Sequence, residues 1–277
     1  MHASNHNFEP PVTLFTETLK SCPVCRSDKF QEVFNELRDN IPLKFSKCVR
    51  CNALFQNPRP SAENLTRYFD NFAGSLLPQQ ENESPADDCL DKIRFYLPPP
   101  ARLLELGGGA HGFLNRAKSA GYHAEEAGIS DTLALRVTGL HRIKSSITSI
   151  EEIDLPESLF DVVCSFGGIA SWHDPRYALR NISRLLSPEG LFCFNYSDYQ
   201  SLAVRLQGKN YFGSSRTSLV LYTRSALHRL LQDYGFKWLY EGKEVPSPGL
   251  KHIRFERLFK LFGKGRRFVI AQKRDRN

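Results

Sequence analysis

The sequence predicts a doubly wound α/β protein preceded by a small cysteine module. Three observations lead there. Four of the seven cysteines fall within residues 20–60, a triple proline stands at Pro98-Pro99-Pro100, and after it short apolar runs alternate with amphipathic stretches. The 277 residues leave room for one large domain, or a medium one with a small one. Hydrophobic residues at 41% and charged residues at 24% are a globular composition.

Taken in order, residues 1–19 read as an N-terminal extension, without the basic start or apolar stretch of a secretory signal. Residues 20–60 form the cysteine module. Residues 61–85 read as a connecting helix and linker, and the polar stretch 73–88 carries two prolines. Leu90, Ile93 and Leu97 recur at helical spacing until the prolines stop the helix. Residues 86–277 then form one domain. Strands are expected at 103–106, 123–129, 142–147, 160–166 and 191–196, with helices at 112–120, 131–138 and 175–186 between them. A helix at 225–234 and strands at 236–245 and 267–272 complete the pattern. Strands alternating with helices imply a parallel sheet covered on both faces.

The charge is uneven. The chain carries +7, but residues 251–277 alone carry +8, which leaves the body near −1. A nucleic-acid partner is therefore not expected, because phosphate neutralisation needs cations clustered over a docking face. Leu250, Ile253, Leu258, Leu261 and Phe262 share a helical face opposite Lys251, Arg254, Arg257 and Lys260. That predicted helix at 250–262 is a candidate for a peripheral or protein contact. No apolar run approaches the roughly 18 residues of a transmembrane span. An odd cysteine count with two CxxC pairs fits a reducing, cytoplasmic setting better than a disulfide framework.

Cys22-Pro23-Val24-Cys25 and Cys48-Val49-Arg50-Cys51 are two CxxC knuckles. Each aims two thiolates at one point, so the pair closes a four-sulfur tetrahedral site that suits structural zinc. Cys22, Cys25, Cys48 and Cys51 are the expected ligands of a zinc ribbon. The remaining cysteines, Cys89, Cys164 and Cys193, read as buried thiols.

In Leu103-Leu104-Glu105-Leu106-Gly107-Gly108-Gly109-Ala110-His111-Gly112 a buried strand runs into a glycine turn that opens a helix. Gly107, Gly109 and Gly112 match the dinucleotide pattern GxGxxG. Glu105-x-Gly107-x-Gly109 matches the acidic-then-glycine loop of S-adenosylmethionine binders. Glu105 discriminates: a carboxylate sits poorly beside a pyrophosphate and well beside a sulfonium compound bearing an ammonium group.

The chain resembles the class I, Rossmann-like S-adenosylmethionine-dependent methyltransferases, in particular those with an N-terminal four-cysteine zinc ribbon, many of which act on sugars or natural products. The residues that carry the resemblance are the two knuckles, Asn57-Pro58-Arg59-Pro60, the glycine loop, Asp154-Leu155-Pro156 before Phe160-Asp161-Val162-Val163, Asp174-Pro175 and Leu185-Leu186-Ser187-Pro188-Glu189-Gly190. The family ends its mostly parallel sheet with a C-terminal antiparallel hairpin. The resemblance implies cofactor contacts at Glu105, Gly107, Gly108, Gly109 and His111, at Ile129 after the second strand, at Ser149 and Ile150 beside the adenine, and at Phe166 ending the fourth strand. Three positions depart from the family pattern. His111 stands at the third loop glycine, Gly128 at the acid that grips the ribose, and Ala170-Ser171 at a Glu-His pair.

Catalytic candidates must lie at the C-terminal ends of strands, where open α/β sheets bind ligands. His173 after the fourth strand and Tyr196 on the fifth are candidate bases. Tyr199, Asp198 and Trp172 are candidate neighbours, and His228 is expected on an exposed helix face. Residues 210–218 read as a lid flanked by Arg205, Arg216 and Arg224. The expected activity is methyl transfer from S-adenosylmethionine to a small acceptor, a sugar or natural-product intermediate. Alternatives are the same fold without methyl transfer, serving as a binding partner or non-methylating catalyst, and an NAD-dependent oxidoreductase.

Overall fold

The computed structural model describes residues 16–38, 41–65, 86–107, 111–128, 144–147, 150–166, 168–207, 218–243 and 266–274. Its main sheet has seven strands: β6 (Arg102–Leu106), β7 (His123–Gly128), β8 (Lys144–Ile147), β9 (Phe160–Ser165), β10 (Leu186–Ser197), β12 (Phe236–Lys243) and β13 (Arg266–Lys273). They lie in the order β12-β13-β10-β9-β6-β7-β8. β8, β7, β6, β9 and β10 pair in parallel, and β13 runs antiparallel to both β10 and β12. This is the expected mostly parallel sheet with a C-terminal hairpin.

Alternation along the strands assigns their faces. Leu103, Val162, Cys164, Cys193 and Ile270 face one side, where α1 (Ala86–Tyr96) and α2 (His111–Ser119) bring Ile93, Phe113, Leu114 and Ala117. Leu104, Leu106, Val163, Phe192 and Phe194 face the other, against α3 (Pro175–Leu185) and, beyond the short α4 (Leu202–Gln207), α5 (Arg224–Asp233). α3 starts where Asp174 accepts the N–H groups of Arg176 and Tyr177, with Pro175 at its first turn. Ala178, Leu179, Ile182 and Leu185 then recur on its buried stripe.

The sequence predicts a turn at 187–190, between helix and strand. In the structure β10 begins at Leu186, directly after α3, and the segment is a bulge inside the strand. Glu189 takes a left-handed φ of 59°. A Cβ on Gly190 would meet the Ser187 carbonyl at 2.9 Å, so the bulge requires glycine there. The expected helices at 131–138 and 250–262 and the lid residues 210–217 lie outside the described residues. Among the described residues no helix is long and apolar enough to cross a membrane.

The cysteine region folds as β2 (Phe30–Arg38), β3 (Ile41–Cys48) and β4 (Leu54–Gln56) in an antiparallel sheet. A fourth strand joins its edge from far along the chain: β11 (Val220–Leu221) pairs with β4. A short ribbon, β1 (Thr16–Glu17) with β5 (Arg59–Pro60), lies beside it. Cys22, Val24, Cys48, Ala53 and Phe55 share one hydrophobic cluster with Leu104, Trp172, Leu219 and Tyr222. The cysteine region and the large sheet are thus packed through a common core.

Candidate functional site

The two knuckles have the same backbone form. Arg26 N–H bonds the Cys22 carbonyl and Asn52 N–H bonds the Cys48 carbonyl. Arg26 and Asn52, each just after the second cysteine of its pair, both take left-handed φ near 60°. The four Sγ atoms gather within 4.8 Å of one another, with Cys22 to Cys51 at 3.6 Å and Cys25 to Cys48 at 3.5 Å. A disulfide would need about 2.05 Å. A tetrahedron with metal–sulfur bonds of about 2.3 Å has edges of about 3.8 Å. The arrangement therefore fits one zinc ion and no open coordination position. Cys22 and Cys51 share a hydrogen bond, which draws the Cys22 thiol down to about 6 and holds Cys51 above the usual thiol range.

At the C-terminal edge of the main sheet, Glu105 is fully buried on β6, and Gly107 follows with φ of 127° and its N–H on the Ala127 carbonyl. Only glycine adopts that angle without strain. Glu126, too early in the sequence for a ribose acid, is also buried and stands directly across from Glu105. Gly128 ends β7. Gly112 lies in the first turn of α2, within the expected helix at 112–120. Ile150 is buried, and its carbonyl accepts from Asn181 Nδ2 at 2.8 Å. The Phe166 ring packs between Phe113 and Phe268, with centroids at 4.7 and 6.2 Å. Gly108, Gly109, Ile129 and Ser149 lie outside the described residues, as does the His111 side chain. Gly168, which no motif marks, leaves room for the Ser165 hydroxyl, which a Cβ there would meet at 2.5 Å.

The two candidate bases are engaged elsewhere. His173 Nδ1 lies 3.2 Å from Arg59 Nη2, and its Nε2 lies 3.2 Å from Glu17. Arg59 also bonds Glu17 and the His173 carbonyl. Burial, then the Arg59 charge, holds His173 below the usual imidazole range. His173 is therefore a latch between the β1–β5 ribbon and the start of α3, not an open base. Its N–H and that of Asp174 donate to Glu151, whose carboxyl is raised by burial.

Tyr196 donates to Glu241 at 3.0 Å, and Glu241 also holds Arg224 at 2.6 Å. Burial, then the Glu241 charge, raises the Tyr196 phenol, so it is a poor proton acceptor. Arg224, which flanks the expected lid, is thereby committed. Tyr199 donates to the Asn52 carbonyl of the second knuckle, and Asp198 closes a turn onto Gln200 N–H. Trp172 is core, stacked on Phe192. His228 is half-buried and packs its ring on Trp238 at 5.4 Å. Cys89, Cys164 and Cys193 are buried thiols, as expected.

Beyond the end of β10 lies a cleft of about 200 Å³. It is lined by Ile169 and Ala170, by Asn195, Tyr196 and Ser197 at the end of β10, by Ser218, Val220, Leu221 and Tyr222, and by Arg266. Tyr222 donates to the Ile169 carbonyl at 3.2 Å. The cleft stands where open α/β sheets take ligands. Its lining mixes apolar and polar groups in similar measure.

A family model described as a methyltransferase domain matches residues 79–241. A sequence search of curated proteins finds no match. Among solved structures, one similar chain comes from the complex between the Haloferax volcanii Trm112 methyltransferase activator and a methyltransferase. It has 12% identity and a TM-score of 0.62, over 77% of this chain and 99% of that one. The Burkholderia thailandensis 1,6-didemethyltoxoflavin-N1-methyltransferase, solved with S-adenosylhomocysteine, has 16% identity and a TM-score of 0.59, over 80% and 96%. The [4+2]-cyclase SpnF has 16% identity and a TM-score of 0.57, over 78% and 97%. At such identities these structures show a common fold. The family match spans more than half of the sequence and includes the glycine loop and every residue lining the β10 cleft except Arg266: the chain belongs to the methyltransferase domain family.

Proposed function

We propose that the protein is an S-adenosylmethionine-dependent methyltransferase acting on a small-molecule acceptor, a sugar or natural-product intermediate. The observation that carries this reading is buried Glu105 two residues before the left-handed turn at Gly107, on the central strand of a sheet whose family match is methyltransferase. Glu105, Gly107, Gly108, Gly109 and His111 would hold the amino-acid part of the cofactor, with Ile129, Ser149, Ile150 and Phe166 around the nucleoside. The bound cofactor supplies an electrophilic methyl group that passes in line to an acceptor nucleophile. The β10 cleft would orient that nucleophile, and positioning does most of the work in such a displacement. Neither His173 nor Tyr196 is offered as a free base, since both are tied to neighbouring charged side chains. Cys22, Cys25, Cys48 and Cys51 would hold zinc as a structural ion.

A second reading, the same fold without methyl transfer, is favoured by Gly128 at the ribose position. A missing carboxylate there removes charge-assisted hydrogen bonds of about 1.5–3 kcal/mol each. Calorimetric titration with S-adenosylmethionine, S-adenosylhomocysteine and NAD separates the readings. Micromolar binding of both adenosyl ligands, with none of NAD, is expected. Binding without methyl consumption across acceptor panels would favour the second reading, and binding of NAD alone would overturn both.

A further inference from the structure

We infer that the cysteine module builds the outer wall of the β10 cleft, so that metal occupancy decides whether the cleft is formed. Naming the cleft an acceptor site rests on the function proposed above, but the coupling does not. The wall is β11 and the residues around it. Leu219, Val220 and Tyr222 pack in the core shared with the main sheet, but the strand pairing of β11 is made in the module. Val220 pairs with Phe55 and Leu221 with Leu54. Gln56, 3% exposed at the end of β4, fixes the entry to the wall twice: its N–H donates to the Leu219 carbonyl at 2.9 Å, and its Nε2 donates to the Ser218 carbonyl at 3.1 Å. From the other side, Val220 N–H reaches the Ala170 carbonyl at 3.0 Å. Ser218, Val220 and Ala170 all line the cleft.

β4 is itself held by the metal cluster. Cys48 ends β3, its N–H bonds the Ala53 carbonyl, and Leu54 follows at once. The second knuckle is therefore the turn that sets β4 against β3. A second tie runs from Asn52 in that knuckle through the Tyr199 hydroxyl, and Tyr199 N–H bonds the Tyr222 carbonyl at 3.3 Å. Four thiols that close on one ion hold the knuckle in place. Released, they leave a three-residue strand to hold a two-residue one. Two such short strands lack stability of their own.

Hydrogen–deuterium exchange on the full chain tests this, with the metal-loaded protein, the protein after chelation and the Gln56→Ala variant compared. Exchange in the peptide covering 218–223 should rise about tenfold or more in both treatments, while peptides from β6 and β9 keep their protection. S-adenosylhomocysteine affinity of Gln56→Ala should stay within about twofold of wild type. Unchanged protection at 218–223 in Gln56→Ala overturns the inference. So does a chelation response that raises β6 and β9 equally, since that reports general unfolding rather than a wall. Failure of wild type to bind S-adenosylhomocysteine would instead count against the proposed function, and the exchange pattern at 218–223 would still decide whether the module holds the wall.

Discussion

The four-cysteine cluster and the β10 cleft differ in where their residues come from. The cluster draws all its ligands from two CxxC knuckles whose backbones repeat one form, so local spacing almost completes it. The cleft collects Ile169, Asn195, Ser218, Tyr222 and Arg266 from separate elements, and strand pairing in two different sheets brings them together. A site written in local spacing tolerates little change in its few residues. A site written in topology depends on elements well outside its lining.

Removing a ligand should break this contrast most forcefully. Cys48→Ser is expected to lose bound zinc by mass spectrometry and to lower the melting temperature by about 10 °C or more, because metal binding there is folding energy. Retained zinc with an unchanged melting curve would mean that the cluster is incidental. At the cofactor edge, Glu105→Gln should weaken S-adenosylhomocysteine binding about tenfold or more in calorimetry while metal content stays the same. Equal loss of zinc would erase the distinction between the two regions.

Between them, Arg59→Ala strands Glu17 and His173 at the latch and should cost about 2 kcal/mol in denaturant unfolding. The latch also sets a pH response. His173 is held below its unfolded pKa, so the unfolded chain binds the extra proton first, and stability should fall as pH drops below about 6.5. A His173→Gln variant should show a shallower fall in melting temperature over that range. The smallest effect belongs to Asp174→Ala, which removes the α3 cap for about 1 kcal/mol and should leave zinc and cofactor binding untouched.

The parts legible in the sequence are those fixed by neighbours along the chain. Knuckle spacing and the apolar stripe of α3 rest on contacts within a few residues, and the Glu105–Gly107 turn shows in its glycine. The bulge at 187–190 is hidden because Ser187-Pro188-Glu189-Gly190 has turn composition, and its strand character comes from pairing with β9. His173 and Tyr196 sit at the expected strand ends, but their partners Arg59, Glu17 and Glu241 lie 45 or more residues away. β11 is two residues long, too short for any periodicity, and exists only because β4 offers it an edge.

That edge has a history during synthesis. Gln56 and Ser218 are separated by 162 residues. At roughly 5–20 residues per second, β4 leaves the ribosome about ten to thirty seconds before its partner. Over that interval all four cysteines are already out and the outer edge of β4 is open, a template for wrong pairings. An ion captured early would set the module's shape before the body arrives, and arrival of β11 would then seal the exposed edge. The order of synthesis is thus written into the chain: the cysteine module first, the parallel strands of the main sheet next, then β11, with β12 and β13 after it.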